Sequence, residues 1–90
     1  MKKLVKVEEV SGEGFLALMG QQVYILCMNY HYTGRLVGVN DTFVKLETGA
    51  IVYDSGPHSD SCFKDAQVVA DELYIQLNSV ESFSATKKSI

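Results

Sequence analysis

Ninety residues make one small domain, with room for a core but little for a catalytic cleft beside it. At 47% hydrophobic and 21% charged, with a single proline, the composition is that of a folded chain, and no apolar run is long enough to span a bilayer. The net charge of −3 hides an asymmetry: between Ser11 and Thr86 three basic residues, Arg35, Lys45 and Lys64, stand against nine acidic ones, a net −6 that excludes a broad phosphate-binding surface.

In chain order, Met1-Lys2-Lys3-Leu4 is basic, but Glu8 and Glu9 arrive where a signal peptide needs its apolar stretch, so a cytoplasmic protein is expected, with no membrane partner. Phe15 to Met19, stopped by Gly20, reads as one short helix or as an extended segment. Val23 to Met28 is a β-rich apolar run. Asn29 to Tyr32 reads as a turn region leading into a second strand, Thr33 to Val39, where Gly34 and Gly38 call for a bend or a close backbone approach. Asn40-Asp41 is a turn signal, because Asx side chains bond nearby backbone N–H groups. In Phe43 to Glu47 the alternation points Val44 and Leu46 inward and Lys45 and Glu47 outward. Thr48-Gly49 is a hairpin turn, or a bulge in one strand continuing to Tyr53. A long loop is expected over 54–71, followed by a strand over Glu72 to Leu77 with Leu73, Ile75 and Leu77 on one face. Asn78-Ser79 then turns the chain into a last strand, Val80 to Phe83. The domain is expected to span 1–84, with 85–90 a flexible tail. The sum is an all-β domain of five strands.

Few residues bear chemistry. Cys27 lies within an apolar strand pattern and reads as a buried free thiol, whereas Cys62 belongs to a polar loop. His31 between Tyr30 and Tyr32 could offer a stacking platform for bases, against the plainer reading of a hairpin end with half-buried tyrosines. His58-x-Asp60-x-Cys62 brings three ligand types into the long loop, but structural zinc usually takes four, and no metal or other cofactor is expected. No nucleophile, paired-acid or phosphate-loop pattern stands out, so the chain is not expected to be an enzyme.

The order of residues resembles the Sm-like family (LSm/Hfq type). Leu16, Met19-Gly20-Gln21-Gln22-Val23, Gly34-Arg35-Leu36, Val39, Asp41 and Val44 to Leu46 follow its first motif. Ile75, Gln76-Leu77-Asn78-Ser79, Val80 and Phe83 follow its second. The match covers about residues 15–47 and 72–83, and is most similar to small Sm-like proteins of phage and environmental sequences. The resemblance implies a strongly bent, five-stranded antiparallel small barrel, with a short N-terminal helix in most members. It also implies a cyclic homo-oligomer, about five to seven subunits here, in which the fourth strand of one copy pairs with the fifth of the next. Two unblocked edges that pair head to tail must close into a ring or run on as a fibre.

In that family single-stranded RNA is held at the pore by the turns after the second strand and before the fifth. The Asp of the first turn falls on Asp41 if one extra residue follows Gly34, and on Asn40 otherwise; the Asn falls on Lys45 or Val44 accordingly. Gln76-Leu77 stands where the family has Arg-Gly, so the planar Arg that would stack on a base is missing. The candidate nucleic-acid-binding residues are therefore Asn40, Asp41, Thr42, Lys45, Gln76 and Asn78. Two functions compete. One is a ring that binds single-stranded RNA or DNA at its pore; the other is a structural or adaptor ring for protein partners.

Overall fold

The computed structural model describes residues 14–90. The basic residues Lys2, Lys3 and Lys6 lie outside the described residues. A single helical turn, α1 (Gly14–Ala17), leads through the bend at Gly20 into β1 (Gln22–Cys27). β2 (His31–Val39), β3 (Phe43–Asp54) and β4 (Asp65–Gln76) follow, then a 3-10 turn (Leu77–Ser79) and β5 (Val80–Ala85). The helical alternative for Phe15 onward is the one adopted. Gly20, at φ +81°, stops the helix and donates its N–H to the Leu36 carbonyl at 2.7 Å. The turn is held down by Phe15, which stacks on Phe83 with ring centroids 3.7 Å apart.

All five strands form one antiparallel sheet in the order β4-β3-β2-β1-β5. Its register shifts mark where the sheet bends. In β2 they fall beside Gly34 and Gly38, and in β3 at Gly49 and after Val52. Gly34 is required by space: a Cβ there would sit 3.0 Å from the Leu46 Cβ and 3.2 Å from the Glu47 carbonyl. Gly38 has ordinary room, with its nearest neighbour at 3.5 Å. Thr48-Gly49 is a bulge, not a hairpin turn, and the strand runs through it.

The bend wraps Val23, Ile25, Cys27, Leu36, Val44, Leu46 and Ile75 into one buried cluster, as period-2 patterning requires of strands with one wet face. Fully burying each of the larger aliphatic side chains contributes about 1.5–3 kcal/mol. Thr33, the one fully buried polar side chain among the described residues, donates to the Val23 carbonyl at 2.8 Å and so carries no unmet hydrogen bond. β4 and β5 are the two edges of the sheet.

Two expectations need correction. The loop does not reach Asp71: β4 begins at Asp65, leaving 55–64 as the connection. Residues 65–71 are exposed or half-buried on both faces, so the strand has no alternation to reveal it. It is held by backbone pairing, Val52 opposite Ala66 and Ala50 opposite Val68. Nor does 85–90 hang free. β5 runs through Ala85, and Ser89 forms a parallel bridge with Cys62. Again the bonds are backbone ones, Phe63 N–H to Ser89 O at 2.9 Å and Ser89 N–H to Ser61 O at 3.0 Å.

Candidate nucleic-acid interface

Asn40 builds the turn between β2 and β3. Its Oδ1 accepts the N–H groups of Thr42 and Phe43, both at 2.8 Å, and its own N–H donates to the Phe43 carbonyl at 3.0 Å. That is the bonding an Asx side chain is suited to make. The turn between β4 and β5 is stapled by Ser79, whose hydroxyl donates to the Gln76 carbonyl at 2.8 Å. The two turns touch. The Leu77 N–H donates to the Thr42 carbonyl at 2.8 Å, and Phe43 lies opposite Gln76 in the β3–β4 register.

Five of the six candidate residues, Asn40, Asp41, Thr42, Gln76 and Asn78, therefore gather at one end of the β3–β4 hairpin, all exposed. The Asp41, Gln76 and Asn78 side chains have no hydrogen-bond partner among the described residues. The carboxylate can accept, while the two amides can both donate and accept.

Lys45 stands apart. It pairs in register with Tyr74, and its Nζ lies 3.3 Å from Glu72 Oε1 and 5.6 Å from the Tyr74 ring centroid. The hydrogen bond it donates to the Glu72 carboxylate raises its pKa and keeps the ammonium charged. Arg35 is likewise paired with Glu47 at 2.8 Å, and Lys64 with Asp54 at 3.7 Å. Each basic residue of the barrel's middle thus has an acidic neighbour, which leaves little charge to offer phosphates.

Sequence reasoning missed an aromatic corner beside the turns. Phe43 and Tyr74 meet edge to face at 5.2 Å on the same outer face as Lys45, and Tyr74 is 53% exposed. The available signal was their outward place in the alternations Phe43-Val44-Lys45 and Leu73-Tyr74-Ile75. Tyr30 and Tyr32, 6.4 Å apart, line a pocket of about 280 Å³ together with Tyr74, Gln76 and Ser79, so aromatic faces border the turns from a second side. Burial raises the Tyr32 pKa.

His31 does not join that platform, because it is hydrogen-bonded through Nδ1 to the Tyr24 hydroxyl at 2.7 Å. The loop residues His58, Asp60 and Cys62 do not converge. Among the described residues no three His, Cys, Asp or Glu side chains cluster to hold an ion, and Cys62 Sγ lies 3.4 Å from Ser89 Oγ. Cys27 is buried, with its thiol pKa raised by desolvation, and Cys62 is exposed. Among the described residues no helix is long and apolar enough to cross a membrane.

No family model matches the chain, and no curated protein matches it. Among solved structures the fold is similar to that of the Pyrococcus abyssii Sm protein, determined in complex with a uridine heptamer. The two share 16% identity at a TM-score of 0.57, over 80% of this chain and 92% of that one. With five antiparallel strands in one bent sheet and a short helix before them, the chain has the Sm-like fold.

Proposed function

We propose that this chain is a ring-forming module that binds single-stranded nucleic acid, RNA in the first place, at a pore lined by its two adjoining turns. The observation that carries the reading is the Leu77–Thr42 hydrogen bond, which brings the free polar groups of Asp41, Gln76 and Asn78 beside the Phe43–Tyr74 pair. Hydrogen-bonding groups next to exposed aromatic faces suit unstacked bases. The uridine heptamer bound by the Pyrococcus abyssii protein, which shares the fold, supports the same ligand class.

In this reading the edges β4 and β5 of neighbouring copies pair, closing a ring of about five to seven subunits in the cytoplasm and repeating weak contacts around the pore. Binding rests on turn side chains and stacking, because Arg35, Lys45 and Lys64 are already paired with acidic neighbours. That same pairing favours the second reading, a structural or adaptor ring for protein partners.

The test is titration of short uridine, adenosine and single-stranded DNA homopolymers at two salt concentrations, with mass measured by light scattering. The expected result is weak binding by an oligomer, with a shallow dependence of log affinity on log salt. Absence of binding to every single strand would leave the adaptor reading standing, and a monomer would remove both.

A further inference from the structure

The loop over 55–64, at the far end of the β3–β4 hairpin from the turns, is built around a lysine. Gly56 takes φ +70°, and its N–H is held by Asp54 Oδ1 at 2.9 Å. The resulting turn points three successive carbonyls at one spot. Lys88 Nζ occupies it, donating to Ser55 O at 2.6 Å, Pro57 O at 2.7 Å and Gly56 O at 3.4 Å. Beneath the ammonium lies the Phe63 ring, its centroid 5.7 Å away and its residue only 7% exposed.

Beside this cage the backbone of 61–63 exchanges two hydrogen bonds with Ser89 as a short parallel bridge. Main-chain pairing together with a pocket for one side chain is how sheet edges recognise extended peptides. An ammonium carries three donors on a compact charge and matches three convergent carbonyls, whereas a planar guanidinium does not. Beyond these contacts the loop and residues 84–88 enclose a cavity of about 650 Å³, lined also by Tyr24, His58 and Asp60, with space for neighbouring residues of a longer segment.

We infer that the 55–64 loop is a receptor for an extended protein segment carrying a lysine followed by a small residue, and that the chain's own Lys88-Ser89 fills it in cis. A partner segment of the same chemistry engages the loop by displacing residues 86–89. This site is separate from the turns and does not depend on nucleic-acid binding.

The experiment uses the full chain, wild type and Lys88→Ala, with amide hydrogen exchange read by NMR. The probe is a capped Thr-Lys-Lys-Ser peptide, alongside an analogue in which the second lysine is norleucine. Lys88→Ala is expected to release the segment, so that the Phe63 amide, which donates to Ser89, exchanges at least about tenfold faster, in line with loss of charge-assisted hydrogen bonds. Peptide added to the variant should restore protection, bind wild type more weakly, and bind at least about tenfold more weakly as the norleucine analogue. Gly56→Ala, strained at positive φ, should weaken the peptide's binding while leaving the core amides of Ile25 and Leu46 protected. Unchanged Phe63 exchange in Lys88→Ala overturns the inference, as does a peptide that fails to bind the variant or binds equally well without its lysine.

Discussion

The Leu77 N–H donates to the Thr42 carbonyl at 2.8 Å, joining the turn after β2 to the turn after β4, so that a change in one is felt in the other. Among the described residues the Asp41 and Asn78 side chains make no hydrogen bond, whereas Asn40 holds two backbone amides. Asp41→Ala and Asn78→Ala should each weaken single-strand binding with the urea midpoint unchanged. Asn40→Ala should cost about 1 kcal/mol of stability as well. Binding isotherms and urea melts on the three variants check this, and an Asn40→Ala melt identical to wild type would deny the turn its side-chain support.

The β3 bulge stores strain at Thr48, a β-branched residue at φ +54°. Its neighbour Gly49 leaves no space for a Cβ, which would collide with the Leu73 side chain. Thr48→Gly should therefore stabilise by about 0.5–1 kcal/mol, and Gly49→Ala should destabilise by about 1–3 kcal/mol. Denaturant melts of the two variants should move in opposite directions; movement in the same direction would mean that the bulge relaxes into a regular pair.

The loop's polar sequence and the small entropic cost of loop length make replacement of Ser55–Asp65 by a Gly-Ser linker look harmless. The structure predicts a cost. Phe63 is buried against Tyr24, ring centroids 5.4 Å apart, and Asp65 already belongs to β4. Phe63→Ala should lose about 3 kcal/mol, with the barrel still folded. Thermal melts of Phe63→Ala and of the linker variant provide the check, and an unshifted Tm would show that Phe63 contributes no packing.

Stability should fall on the alkaline side. Burial raises the pKa of the Cys27 thiol above its ordinary 9.0 and those of the Tyr24 and Tyr32 phenols above 10.0, while Glu72 raises that of Lys45 above 10.5. Each group holds its proton more tightly folded than unfolded. The unfolded chain therefore releases protons first, and stability present below these ordinary values is lost as pH rises through the folded ones. Melts recorded from neutral to strongly alkaline pH should show a flat Tm up to about pH 9 and a decline beyond it. Cys27→Ala should delay the onset of that decline, and a Tm rising across the range would reverse the assignment.

The five strands were legible wherever one face is wet and the other dry. Val44 and Leu46 turn inward while Lys45 and Glu47 face out, and Ile75 is buried between exposed neighbours, because burying one face imposes a period of two on the sequence. The turn at Asn40 was legible too, since its side chain makes local bonds to residues two and three positions on. So was the close approach at Gly34. Tertiary structure decided the rest. The first half of β4 and the docking of Ser89 rest on long-range backbone hydrogen bonds, which use main-chain groups common to nearly all residue types and leave no side-chain pattern. The same holds for the Leu77–Thr42 contact that brings the turns together. Glu72's capture of Lys45 and the seat of Lys88 among three carbonyls depend on which surfaces the bent sheet brings face to face, and only the closed chain specifies that.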